Sequence, residues 1–165
     1  MLLGGLLLTA CSSSAVRGGA LSQVDRDFLT QGYAIAAFTD AQSEIALAQA
    51  HSPEVRALAQ RMMTETDRFE EAADRIAAET GIRKPNLLPA DFRVRLYRLK
   101  LQGGLDFDRT FVLDQLEARQ NALSQMQAEL TNGSNPKVID VARRAQPVLQ
   151  RDIQSLQAIK QANGW

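Results

Sequence analysis

The sequence predicts an all-α protein, a four-helix bundle of two helical hairpins joined by a crossover that carries a short helix. Three observations lead there. Alanine, leucine, glutamine, glutamate and arginine dominate, aromatics are only 5%, and β-branched residues never form a run of strand length. Apolar residues recur at alternating spacings of four and three, the signature of a helix with one buried face. The chain also repeats itself once, half a chain apart. With 165 residues, 45% of them apolar, one core can form without staples.

The elements follow in order. Ser22 with Asp25 three residues on is a capping-box variant, opening a helix that runs to about Ala50. Ser52-Pro53-Glu54 restarts the chain with an N-cap, a proline at the first helical position and an acid near the positive helix end. That second helix stops at Gly81. The stretch from Gly81 to Pro89, GIRKPNLLP, is a connection, followed by a short segment from Asp91 to Leu101 that Gly103-Gly104 ends. Its alternation, Phe92 to Lys100, resembles a strand, but a lone strand in a helical chain has nothing to pair with, so a basic crossover helix is expected with its arginines in solvent, the alternative being that they touch anionic lipid or lipopolysaccharide near the tether. A further helix spans roughly Asp106 to Leu130, and Asn135-Pro136 caps the last, which reaches about Gln161 and contains Pro147.

The repeat ties the elements together. Asp25-Arg26-Asp27-Phe28-Leu29 matches Asp108-Arg109-Thr110-Phe111-Val112, and Ser52-Pro53-Glu54-Val55 matches Asn135-Pro136-Lys137-Val138, both at an offset of 83. One offset for both matches means two copies of one hairpin, each turning over a Ser/Asn-Pro corner. Two such hairpins with a long crossover give the ferritin-like arrangement, over residues 22 to 162.

The N-terminus carries an address. Leu2 to Ala10 is almost wholly apolar, too short to span a bilayer, and ends in Leu8-Thr9-Ala10-Cys11. This resembles the lipobox of bacterial lipoproteins, which implies a diacylated Cys11 at the mature N-terminus, palmitate being one acyl source. Each buried CH₂ of such an anchor contributes roughly 0.8 kcal/mol. No basic residue precedes the apolar stretch, so residues 1 to 11 read as a signal peptide truncated at its start; an ordinary secretory signal cut near Ala10 is the alternative. Ser12, in place of the acid that would resemble an inner-membrane retention signal, points the sorting to the outer membrane, facing the periplasm. Residues 12 to 21 read as a flexible tether.

The seams show what the interior holds. The second helix gives Val55, Ala59, Met62, Thr66, Phe69, Ala73 and Ile76; the fourth gives Val112, Leu116, Arg119, Leu123, Met126 and Leu130. The fifth gives Val138, Ala142, Ala145, Leu149, Asp152, Leu156 and Ile159. Each has one polar intruder near its middle, so Thr66, Arg119 and Asp152 are expected in one layer, with Arg119 paired to Asp152 and helped by the Thr66 hydroxyl. The alternative is that both charged side chains snorkel to the surface. The acidic run RMMTETDRFEEAAD, residues 61 to 74, points Asp67, Glu71 and Asp74 away from the seam and reads as a solvated face.

Phe28-Leu29, Glu44-Ile45, Pro53-x-Val55 to Ala59-x-Arg61-Met62, Gly104 with Phe107-Asp108-Arg109, and Pro147-Val148-Leu149 resemble the bacterial envelope family known as domain of unknown function 4142. The resemblance covers about residues 22 to 160 and implies a fold similar to that of ferritins. It also implies histidines at the positions of Thr66, Arg119 and Asp152, and none is histidine here. A ferritin-like di-metal centre needs Glu-x-x-His pairs. His51, the only histidine, stands at an interhelical corner, and Glu44 falls off the seam, so no metal site and no cofactor is assigned.

Nineteen basic and nineteen acidic residues cancel, which removes the field that would recruit nucleic acid. Met62, Met63 and Met126 read as core fillers, and Trp165 as part of a frayed end. No phosphate loop, zinc spacing or nucleophile motif occurs. The expectation is a lipid-anchored envelope protein with a structural or binding role and no catalysis, its partners being the membrane through the anchor and an unidentified envelope protein or lipid. The alternative is a ferritin-like metal-binding or oxidative-stress protein using Glu44, Glu65, Glu70, Glu117 and Asp152 without histidine.

Overall fold

The computed structural model describes residues 20–165. Cys11, the lipobox and most of the tether lie outside them. The described chain is all-α, a helical bundle of five helices with no strand: α1 (Gln23–Gln49), α2 (Pro53–Thr80), α3 (Ala90–Lys100), α4 (Gly104–Asn132) and α5 (Pro136–Ala162). The caps explain the boundaries. Ser22 and Asp25 form a complete capping box, Ser52 accepts from the Glu54 amide ahead of Pro53, and Asn135 accepts from the Lys137 and Val138 amides ahead of Pro136. Gly81 ends α2 at φ 73°, a left-handed conformation glycine adopts without a Cβ penalty. α4 starts two residues earlier than its sequence suggests, at Gly104, where no side-chain cap marks the turn.

Side-chain bonds fix the helix directions. Along α1 and α4 they run from Asp25 with Ser134, through Thr39 with Gln115 and Gln42 with Asp114, to His51 with Asp108. Rising numbers on α1 meet falling numbers toward α4, so the two are antiparallel. The same holds for α2 and α5, where Arg61 meets Asp152, Glu65 meets Arg151 and Glu79 meets Lys137. It follows that α2 and α4 run parallel, and residues 81 to 103 must travel the length of the bundle. α3 rides on this connection in the groove between α1 and α4. Its Phe92 stacks on Phe38 at 4.3 Å between ring centroids, and Leu96 packs on the cluster of Ile35, Phe38 and Ala118.

The repeat is visible in the core. One apolar cluster contains Val55, Leu58, Phe111, Leu156 and Ile159, and the other contains Val138, Val141, Phe28, Ala73 and Ile76. Each pair differs by 83 in residue number, so the two cores are copies at opposite ends of the bundle. Fully burying a side chain of this size contributes about 1.5–3 kcal/mol. The prediction for Trp165 is corrected: it packs against the first cluster instead of fraying. Placing all the α3 arginines in solvent is corrected as well, because Arg95 pairs with Glu117 and Asp114, and Arg98 with Asp114 at 2.8 Å.

Candidate functional site

Between the two apolar cores lies a polar layer contributed by all four long helices. Arg119 of α4 and Asp152 of α5 form its centre, with Nε 3.1 Å from Oδ2 and side chains only 3% and 1% exposed. Arg119 spends a second donor, Nη1, on the Thr39 hydroxyl at 3.0 Å. Thr39 in turn donates to Gln115 at 3.3 Å, Gln115 donates to Gln42 at 2.9 Å, and Gln42 donates to Asp114 at 3.0 Å. The chain ends at Arg98 on α3. A buried charge is kept because it is threaded into this network, each donor meeting an acceptor in a low dielectric.

Thr66 reaches the same layer but a different partner. Its hydroxyl bonds to Asp40 and back to the Met62 and Met63 carbonyls. The layer therefore consists of two neighbouring groups, Arg119-Asp152-Thr39 and Thr66-Asp40. Burial raises the Asp40 carboxyl, and the Thr66 hydrogen bond opposes that rise. Burial also lowers Arg119, against which Asp152 pulls upward.

Asp152 Oδ1 is buried without a hydrogen bond, and Arg61 Nη2 at 3.7 Å offers it charge alone. Glu65 stands next to it, bonded through Oε1 to Arg151, its Oε2 buried without a partner. Burial raises Glu65, and the Asp152 charge raises it further.

A cavity of ≈ 80 Å³ opens beside the pair, lined by Gly32, Ala36, Phe69 and Leu149 among others. The repeat explains it. The partners of Gly32 and Ala36 at an offset of 83 are Gln115 and Arg119, and the partner of Phe69 is Asp152. Where one copy fills the mid-bundle level with long polar side chains, the other has a glycine and an alanine. A Cβ on Gly32 would overlap the Phe69 ring, so glycine lets α2 bring that ring against α1.

The residues do not fit a ferritin-type metal centre. A guanidinium occupies the mid-bundle position, and His51 is exposed at the α1–α2 corner. Glu44 is exposed, Glu70 pairs with Lys84, and Glu117 pairs with Arg95. Among the described residues, no group of three or more His, Cys, Asp or Glu side chains could hold a metal ion. In the acidic run, Asp67, Glu71 and Asp74 are exposed. Met62 and Met126 are buried in the two cores and Met63 is half-buried.

Sequence reasoning missed the α1 side of the layer. The buried stripe on α1, Leu29, Tyr33, Ala36, Thr39, Ser43 and Ala46, is spaced four, three, three, four and three, so it slips by one residue at Thr39, where strict alternation points to Asp40. It also missed a second buried acid pair at the end of the bundle. Glu129 is fully buried, neither carboxyl oxygen meets a donor, and its counterpart at an offset of 83 is Ala46. Burial raises Glu129 to about 7, with help from Asp25, to which it can hydrogen-bond only when protonated. Burial works to raise Asp25 too, but bonds from Asn135, Ser22 and Ser134 outweigh it and hold that carboxyl below the usual range.

The fold is similar to that of a DUF305 fragment from Deinococcus radiodurans, with a TM-score of 0.76 over 86% of this chain and 97% of that one at 13% identity. At that identity the likeness is one of fold alone. No curated protein matches the sequence. The model of the family described as domain of unknown function (DUF4142) matches residues 10–159, nearly the whole described bundle, and the chain belongs to that family.

Proposed function

We propose that this protein is a lipid-anchored component of the bacterial cell envelope, held at Cys11 on the periplasmic face of the outer membrane, whose four-helix, ferritin-like bundle has a structural or binding role. The lipobox-like Leu8-Thr9-Ala10-Cys11 supports the anchor. The helix directions, with α2 and α4 parallel across a long connection, support the ferritin-like assignment. Among the described residues no helix is long and apolar enough to cross a membrane, so a tether is the means of attachment this reading requires.

The observation that carries the reading is the buried Arg119-Asp152 pair. A guanidinium at the mid-bundle level pairs with the acid there and repels a cation, so the centre holds its own counter-charge. Elemental analysis after exposure to iron or manganese and dialysis is the test. The expected result is no stoichiometric metal, and one retained ion per chain would contradict it. For the anchor, radiolabelled palmitate should enter the protein expressed with a complete lipoprotein signal, and Cys11→Ala should abolish labelling.

A further inference from the structure

Six large apolar side chains are exposed among the described residues, and five of them, Leu87, Val94, Tyr97, Leu101 and Leu105, fall in or beside α3. The concentration matters because scattered exposed apolar residues need no explanation, whereas a contiguous set does. Val94, Tyr97 and Leu101, at 67%, 67% and 70% exposure, are spaced three and four apart. They form one stripe on the outer side of a helix whose inner side, Phe92, Leu96 and Leu99, packs on the bundle. α3 is therefore apolar on both sides, and its charges lie along the flanks.

We propose that the outer face of α3 is a docking surface for an anionic lipid headgroup layer. Charge complementarity selects this occupant. Arg93 and Lys100 are exposed and have no ion pair among the described residues, and half-exposed Arg98 uses only part of its fork on Asp114, while Asp91 is the helix's single acid. A short helix with an apolar stripe, a tyrosine and basic flanks is the composition that lies in a membrane interface: ring and aliphatic groups enter the acyl boundary while the long basic side chains reach phosphates.

Reach selects it too, a step that rests on the anchored reading above. The nine residues from Ser12 to Ala20 span at most about 30 Å when extended. Phe38, on which α3 sits, is seventeen residues up α1 from Leu21, about 25 Å at the helical rise. Anchor and α3 can thus touch one plane, with the bundle lying along the membrane.

The test uses the full chain carrying Cys11→Ala, so that no acyl group contributes. Sedimentation with vesicles of mixed phosphatidylglycerol and phosphatidylcholine is compared with phosphatidylcholine alone. Binding to the anionic vesicles is expected, reduced roughly tenfold by Val94→Ser with Leu101→Ser, and by a similar factor by Arg93→Ser with Lys100→Ser. Tyr97→Trp in a Trp165→Phe background should shift its emission to the blue on adding anionic vesicles. Binding that neither pair weakens, or sedimentation without that shift, would show that another segment docks and overturn the proposal. A dimer dissolved by Val94→Ser with Leu101→Ser, with vesicle binding unchanged, would assign the face to a second copy and overturn it equally. Failure of palmitate labelling in the wild type would remove the anchor but not a positive vesicle result, so the two readings fail separately.

Discussion

Asp25 and Asp108, 83 residues apart, perform the same task at opposite ends of the bundle: each accepts two backbone amides from the corner of the other hairpin. Asp25 takes Ser134 and Asn135 at 3.0 and 3.1 Å, and Asp108 takes His51 and Ser52 at 2.9 and 2.7 Å. These are the amides that enter α5 and α2, which no preceding turn can satisfy. The repeat therefore persists as a mutual clamp between the hairpins, beyond any similarity of sequence.

Removing either clamp strands two backbone amides at a partly buried corner. Asp25→Ala and Asp108→Ala should each lower stability by about 2–4 kcal/mol in urea denaturation at neutral pH, given charge-assisted bonds of about 1.5–3 kcal/mol each. Losses below half a kcal/mol in both would show that water replaces the carboxylates freely.

Glu129 predicts an unusual pH dependence. Its folded value of about 7 lies above its ordinary 4.5, so the folded state holds a proton the unfolded chain has released. Its contribution is fully present below 4.5 and is lost as pH rises toward and through 7. Stability should fall by on the order of 1–2 kcal/mol between pH 5 and 8, allowing for solvent screening at the bundle end. Glu129→Gln, which keeps a donor for Asp25 without a titrating group, should flatten that slope in melts across the range. An unchanged slope would move its origin elsewhere.

Gly32 tests the packing around the cavity. Glycine in a helix interior is worth about 0.5–1 kcal/mol less than alanine, so Gly32→Ala would stabilise α1 if space allowed. The Phe69 ring occupies the place of the new methyl. The expected outcome is a net loss of about 1–3 kcal/mol from overpacking. A gain would mean that Phe69 swings into the neighbouring cavity at little cost.

Helix boundaries and the repeat were legible because they depend on local chemistry: Ser22, Ser52 and Asn135 cap where the sequence places them, and the prolines after Ser52 and Asn135 fix the register. Arg119 and Asp152 could be read from periodicity, since a charge on a seam has to find a partner. The Thr66 partner could not, because Thr66 and Asp40 meet across two helices, 26 residues apart, and a seam read on one helix does not say which residue of another it faces. Glu129 was hidden for a related reason. It follows no apolar seam, and its burial depends on Gly133, where a Cβ would overlap the glutamate, and on Asp25, more than a hundred residues away. Arg95 and Arg98 looked solvated because their partners, Asp114 and Glu117, lie on another helix.

The interior pair decides the account. Arg119→Met, Asp152→Leu and the double variant, measured by denaturant unfolding, form a complete cycle. Each single variant should lose roughly 3–5 kcal/mol, because the surviving charge is left buried, and the double should lose much less than the sum. Small, additive losses would mean that the two charges do not neutralise one another, and the claim that this bundle supplies the counter-charge at its own centre would fail.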